Sequence, residues 1–137
     1  MRALGASTAS RLRAGDIVLL VGPLGAGKTT FVQGVAQELD VVGSVTSPTF
    51  VIAREHVSSG RGLALVHVDA YRLGGAAELD DLDLDASLRD AVTVVEWGEG
   101  LIEHLDAEVI RVHIARDNAV AESEVRLVTL EWPEGRP

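Results

Sequence analysis

Two residue types are almost missing from this 137-residue sequence. It contains no cysteine, which excludes a disulfide framework and a metal site built from thiolates. It contains one lysine, Lys28, although it has eleven arginines. No apolar run approaches the roughly 20 residues that span a bilayer, and the N-terminus lacks the continuous apolar segment of a signal peptide. We therefore expect a soluble, cytoplasmic protein with no membrane association.

Positive charge is scarce as well. The chain has 12 Lys and Arg residues against 21 Asp and Glu residues, a formal net charge of −9. A surface that binds nucleic acid needs clustered Lys and Arg to neutralise phosphates. We therefore do not expect a broad nucleic-acid surface, and a partner would have to hold any nucleic acid that this protein serves. The length fits one domain, and a hydrophobic content of 47% is enough for a buried core.

The most informative stretch is Gly22–Thr29, which has the pattern G-x-x-x-x-G-K-[ST] of a phosphate-binding loop. In such a loop the glycines let backbone N–H groups turn toward a phosphate. The lysine supplies positive charge to the outer phosphates, and the threonine hydroxyl binds Mg²⁺. The apolar run Asp16–Val21 predicts a buried parallel strand before the loop, and the apolar spacing within 31–39 predicts a helix after it. The predicted nucleotide-binding residues are Gly22, Leu24, Gly25, Ala26, Gly27, Lys28, Thr29 and Thr30.

Two acidic residues follow predicted strands. Leu63–Val68 predicts a strand that delivers Asp69, and Ala91–Val95 predicts a strand that delivers Glu96. Ligands of α/β sheets bind at the carboxyl ends of the strands. Both acids are therefore candidates to hold Mg²⁺ or to orient a water molecule, and the sequence alone does not assign the two roles. The hydroxyl-rich segment Thr46–Phe50 stands before another strand and suits a switch segment that senses the γ-phosphate.

The other elements complete an α/β fold. They are a helix at 2–13, a strand at 51–56 joined by a hairpin at 58–62 to the strand before Asp69, short helices within 76–90 and at 98–105, a half-exposed strand around 110–114, and a last strand at 124–132. The acidic run from Asp81 fails as a calcium loop because Ala86 and Val92 stand where Gly and Glu are needed. The four histidines show no metal-ligand spacing and are interpreted as structural. We predict a single-domain P-loop NTPase with three layers, a central mixed sheet and a β-hairpin, flanked by helices. The domain covers 1–132, and 133–137 is a C-terminal tail.

Four motifs resemble the TsaE family, the small ATPases required for making threonylcarbamoyladenosine in bacterial tRNA. They are Leu24–Phe31, Ser47–Phe50, His67–Leu73 and Val95–Trp97, in the family's order and spacing over about residues 4 to 130. The loop alone is generic, but its combination with S-P-T-F, H-x-D-x-Y-R-L and E-W is specific. The resemblance implies a Mg²⁺-dependent ATPase that resets an assembly of TsaB and TsaD between turnovers and reaches tRNA only through these partners. The Ala-, Val- and Arg-rich composition resembles that of proteins from GC-rich actinobacterial genomes.

The resemblance also implies roles for individual residues. It gives Thr29 and Glu96 as ligands of Mg²⁺ and Asp69 as the residue that orients the attacking water. With Lys28, these two acids form the predicted catalytic set. Thr49, or Thr46 and Ser47 nearby, is expected to close on the γ-phosphate. Trp97 is expected either near the nucleotide or the partner surface, or packed in the core.

This sequence departs from the family's pattern at three places. Pro23 stands where the family often has an acid, and Gly98 stands where it often has proline. The family's N-terminal lead-in, which can contact the nucleotide, is largely absent here.

Three other functions are compatible with a phosphate-binding loop. A GTPase that recognises its base through N-K-x-D is excluded, because the only lysine is Lys28. A small-molecule kinase usually needs an arginine-rich lid, whereas the candidate lid at 74–90 is acidic. A binding module in which ATP only gates association, with negligible turnover, stays open.

Overall fold

The computed structural model describes residues 1–23, 27–41, 53–58, 63–69, 90–96, 109–116 and 126–133, with backbone alone at 53–56, 69 and 116. These residues form helices α1 (Arg2–Ala9) and α2 (Lys28–Glu38) and strands β1 (Ile17–Val21), β2 (Ala53–His56), β3 (Ala64–Asp69), β4 (Ala91–Glu96), β5 (Val109–Arg116) and β6 (Arg126–Glu131). The helices predicted within 76–90 and at 98–105, and the tail beyond Pro133, lie outside the described residues. No helix in the described ranges has the length and hydrophobicity needed to cross a membrane.

The six strands form one mixed sheet in the order β2-β3-β4-β1-β5-β6. The four inner strands run parallel, and each outer strand is antiparallel to its neighbour. The antiparallel pairing of β2 with β3 confirms the predicted hairpin, although residues 59–62 of its turn lie outside the described residues. The mixed sheet confirms the predicted fold class. The carboxyl ends of the parallel strands meet at one edge, where the site residues are expected.

The strands β1 and β4 are buried along most of their length because most of their side chains are apolar on both faces. All six residues of β4 are buried, as are the first four of β1. Such continuous apolar runs are typical of parallel strands. The strand β5 alternates instead: Ile110, Val112 and Ile114 are buried, and the residues between them are partly exposed. This pattern confirms the half-exposed strand predicted there.

The helix α2 is held against one face of the sheet by its apolar side. Its residues Phe31, Val32 and Val35 are fully buried and belong to the same cluster as Val18 and Leu20 of β1. Full burial of side chains of this size contributes about 1.5–3 kcal/mol each. The first turn of α2 is therefore fixed relative to the end of β1, which is the geometry that a loop joining them needs.

The helix α1 packs on α2 with almost no space between the two backbones. A Cβ added at Gly5 would lie 2.1 Å from the carbonyl oxygen of Phe31, and one added at Gly34 would lie 2.0 Å from that of Arg2. Only glycine allows such an approach. The Arg2 guanidinium also donates a hydrogen bond to Gln33 Oε1 at 3.1 Å.

One predicted boundary was wrong. The first helix ends at Ala9 and not at Arg13. The N–H of Leu12 bonds to the carbonyl of Ala9, a tighter turn than the α-helical one, and Asp16 Oδ2 accepts a hydrogen bond from the N–H of Arg13 at 2.8 Å. Side-chain bonds of this kind compete with helix continuation. The apolar spacing was still informative, because Leu12 is buried in the core after the helix has ended.

Candidate nucleotide-binding site

The phosphate-binding motif lies between the end of β1 and the start of α2, as predicted. Gly22 and Pro23 follow β1, and Gly27 precedes α2 with φ 107°, in the left-handed region. Residues with a Cβ adopt this region at a cost of about 1–2 kcal/mol. Glycine is therefore favoured at position 27 because of the backbone conformation that precedes the helix. The predicted residues Leu24, Gly25 and Ala26 lie outside the described residues.

Lys28 connects the two ends of the loop. It is the first residue of α2, its side chain is 5% exposed, and its Nζ donates a hydrogen bond to the carbonyl oxygen of Gly22 at 2.9 Å. The ammonium group is thus held at the mouth of the loop and not in bulk solvent. A buried ammonium requires compensation by polar or charged groups, and a phosphate is a suitable one.

The N-terminus of α2 adds donors to the same place. The first bond within the helix runs from the N–H of Phe31 to the carbonyl of Gly27, and no side chain caps the helix. The N–H groups of Thr29 and Thr30 therefore have no acceptor within the helix. Thr29 is half-buried and Thr30 is exposed. N–H groups without an acceptor in the helix and the positive end of the helix dipole favour an anion at this position.

The two predicted acids lie side by side at the ends of neighbouring strands. In the register of β3 and β4, Asp69 is the partner of Glu96, and in the register of β1 and β4, Leu20 is the partner of Glu96. Adjacent strands are about 4.8 Å apart. Asp69, Glu96 and Leu20 therefore lie in one row across the three strands. Leu20 is two residues before Gly22, so this row is at the edge of the sheet where the loop begins.

Glu96 lies on the face of the sheet that α2 covers. Leu20 is its partner in register, and Val94 is two residues before it on the same strand; both belong to the core cluster under α2. The residue is 4% exposed, and its Oε2 lies 2.6 Å from Nε2 of His67. A carboxyl group is therefore buried on the face that α2 covers, in a low-dielectric setting where a cation would interact with it strongly.

His67 contacts the predicted ligand Glu96, a contact that the interpretation of all four histidines as structural did not include. The side chain is 1% exposed and reaches across from β3 to Glu96 on β4. His67 lies two residues before Asp69 in the sequence, and this spacing was the available signal. Among the described residues no group of three or more His, Asp or Glu side chains could hold a metal ion.

The remaining predicted site residues cannot be placed. Two of them are Thr49, which belongs to the segment Thr46–Phe50, and Trp97. Both lie outside the described residues. The part of the site that the structure describes thus consists of the two ends of the loop, the first turn of α2 and the ends of β3 and β4.

In P-loop NTPases, a strand of the parallel part of the sheet leads through a glycine-rich loop into a buried helix, and acidic residues end neighbouring strands. The chain has this P-loop NTPase-like α/β fold.

Comparisons with known proteins identify the family within this class. Residues 1–125 match the family model described as "Threonylcarbamoyl adenosine biosynthesis protein TsaE". The chain belongs to the TsaE family, whose members are involved in the biosynthesis of threonylcarbamoyladenosine in tRNA. The family predicted from the four motifs is confirmed.

Relatives of this chain are found in actinobacteria and beyond. The chain is 58% identical over 131 residues to a tRNA threonylcarbamoyladenosine biosynthesis protein TsaE of Streptomyces coelicolor, with 95% of this chain and 88% of the relative covered. It is 49% identical over 136 residues to the protein of the same name from Mycobacterium tuberculosis, with 94% and 79% covered. These two relatives agree with the actinobacterial composition.

The fold also matches a solved structure. The crystal structure of YdiB from Bacillus subtilis superposes with a TM-score of 0.72 and 33% sequence identity, covering 94% of this chain and 76% of that chain. The mixed α/β architecture described here is therefore that of an experimentally determined protein.

Proposed function

We propose that this chain binds ATP with Mg²⁺ at the loop between β1 and α2 and hydrolyses it as the ATPase subunit of the tRNA threonylcarbamoyladenosine pathway. One observation carries the proposal: Lys28, at the start of α2, bonds to the carbonyl of Gly22, two residues after the Leu20 that pairs in register with the buried Glu96. Donors for phosphate and a carboxylate for a cation thus occur together at one edge of the sheet. A nucleoside triphosphate with Mg²⁺ presents both phosphate oxygens for the donors and a cation for the carboxylate.

The donor set fits Mg²⁺ better than a resident structural metal. Mg²⁺ usually binds one or two carboxylates, keeps several waters and takes phosphate oxygens for the rest of its coordination. A site with Glu96 and the Thr29 hydroxyl as protein ligands matches this coordination preference.

The roles of the chain's own residues follow from charge and position. Lys28 and the N–H groups at the start of α2 hold the outer phosphates. Glu96 and Thr29 hold the cation, and Asp69, which precedes the loop after β3, orients the attacking water. When bound, Mg²⁺ neutralises charge that develops on the phosphate oxygens. The chain's contribution is therefore positioning and electrostatic stabilisation, with no covalent step of its own.

The proposed partners are TsaB and TsaD, with tRNA reached only through them. The net charge of −9 opposes direct binding to a phosphate backbone. Fast P-loop hydrolases usually place an arginine against the transferring phosphate, supplied in cis or by a partner. We propose that the isolated chain turns over slowly and that the partners complete its site.

The test is steady-state phosphate release by the protein alone, then with TsaB and TsaD, then with tRNA added. We expect ATP binding with slow turnover alone and an increase of about tenfold or more with the partners, since a supplied arginine can raise the rate by as much as about 10³–10⁵. The Lys28→Ala variant with the same partners is the control for contaminating ATPases.

Two outcomes contradict the proposal. Rapid turnover without partners and without any response to them indicates a self-contained enzyme such as a small-molecule kinase. ATP-dependent association with TsaB and TsaD that proceeds without phosphate release indicates a binding module gated by the nucleotide.

A further inference from the structure

The buried hydrogen bond between His67 and Glu96 has no role in the proposed site as described so far. Nε2 of the imidazole lies 2.6 Å from Oε2 of the carboxylate, and both side chains are buried. The partner in register of His67 is Val94, and that of Glu96 is Asp69. The bond is therefore diagonal across β3 and β4, with the imidazole one step deeper in the core than the carboxylate.

The chemistry of the pair fixes its polarity. An ionised carboxylate only accepts hydrogen bonds, so Nε2 of His67 must carry the hydrogen when Glu96 is charged. The bond engages Oε2 and restricts rotation of the carboxyl group about its last torsion. Oε1 is not part of this bond, and its direction is set once Oε2 is fixed.

We propose that His67 is a positioning residue that aims Glu96 at the Mg²⁺ of the bound nucleotide. The proposal rests on the proposed function, because it assumes that Glu96 is a ligand of that cation. Carboxylates that bind metals are commonly oriented by a hydrogen-bond donor behind them, and loss of that donor typically costs about 10- to 100-fold in metal affinity or activity. His67 does not contact the nucleotide in this role and acts only through Glu96.

A second histidine provides a matched control. His113 on β5 has its Nε2 3.6 Å from Oε1 of Glu131 on β6, with side chains 41% and 58% exposed. This pair also joins a histidine to a glutamate on a neighbouring strand, but it is longer, solvent-exposed and at the antiparallel border of the sheet. Substitution of His113 should leave every property of the nucleotide site unchanged.

The experiment is calorimetric titration of ATP into wild type, His67→Gln, His67→Asn, His67→Leu and His113→Leu at a series of Mg²⁺ concentrations, and once in EDTA. Glutamine keeps an N–H donor near the position of Nε2, whereas asparagine is too short to place one there and leucine has none. We expect His67→Leu and His67→Asn to raise the Mg²⁺ concentration for half-maximal enhancement of ATP binding by about tenfold or more. We expect His67→Gln to stay near wild type, and ATP affinity in EDTA to be equal in all variants.

The outcomes separate this proposal from the one on which it rests. A wild type that binds no ATP at any Mg²⁺ concentration overturns the nucleotide site itself. Normal Mg²⁺ dependence in His67→Asn or His67→Leu, or equal losses in His67→Gln and His67→Asn, overturns the positioning role and leaves the nucleotide site standing. Thermal unfolding of each variant identifies any that has lost its fold, and the comparison of the two amides remains informative if the leucine variant does not fold.

Discussion

Replacement of Gly34 by alanine tests the packing that holds the first turn of α2 in place. Gly34 lies in the middle of α2, and a Cβ built on it would be 2.0 Å from the carbonyl oxygen of Arg2 and 2.8 Å from its carbonyl carbon. Contacts of Cβ under 3.0 Å are essentially absent from proteins. The methyl group therefore fits only if α1 moves away from α2 by about 1 Å or more.

Two effects of opposite sign decide the result. Alanine is the better helix former, and in a helix interior it is worth about 0.5–1 kcal/mol over glycine. Overpacking costs about 1–3 kcal/mol, and the upper half of that range applies because a backbone carbonyl within a helix cannot rotate out of the way. The clash wins by about 1–2 kcal/mol, a substantial part of a total stability of about 5–15 kcal/mol.

Thermal or urea unfolding measures this difference. For a chain of this size we expect the melting temperature of Gly34→Ala to fall by about 4–8 °C. Gly5→Ala, whose Cβ would lie 2.1 Å from the carbonyl oxygen of Phe31, should change in the same direction. Gln37→Ala, at an exposed position of α2, is the control and should stay within about 0.5 kcal/mol of wild type. A Gly34→Ala variant as stable as wild type, or more stable, would refute the close approach of the two helices.

Further predictions concern the site. Lys28→Ala should lower ATP affinity about 10- to 150-fold, the equivalent of a charged hydrogen bond of about 1.5–3 kcal/mol; Lys28→Arg should not restore it, and unchanged binding by calorimetry would exclude the phosphate role. Asp69→Asn and Glu96→Gln should both reduce phosphate release, but only Glu96→Gln should weaken Mg²⁺-dependent ATP binding, and the reverse result would exchange the two roles. Amide exchange at Thr29 and Thr30 should slow when ATP binds, because phosphate oxygens accept N–H groups that have no acceptor within the helix; exchange that ATP leaves unaltered argues against binding there.

The central strands were predictable because burial on both faces leaves a strong signal. The apolar runs ending at Val21 and at Val95 predicted β1 and β4 to within one residue of their observed bounds. The loop between β1 and α2 was predictable because glycine and lysine at fixed spacing have few other uses. These features depend on local sequence, so they can be predicted without knowledge of the tertiary fold.

Features that depend on register or on competing side-chain bonds were not predictable. The end of α1 is set by Asp16, whose carboxylate accepts from the N–H of Arg13. The pairing of His67 with Glu96 requires β3 and β4 to be parallel neighbours in one particular register. A shift of that register by one residue would put the two side chains on opposite faces, and no pattern within either strand fixes it.

The position of the pair explains how a small domain can present a buried carboxylate to a ligand. Desolvation makes an unpaired carboxylate expensive, and Glu96 is 4% exposed. A donor from within the sheet offsets part of that cost and adds no net charge when the imidazole is neutral. A lysine or arginine in place of His67 would instead neutralise the carboxylate and compete with the cation for it. In the proposed site, a single donor behind the acid leaves its second oxygen for the cation, and Lys28, bonded to the carbonyl of Gly22, leaves its remaining N–H groups for the phosphates.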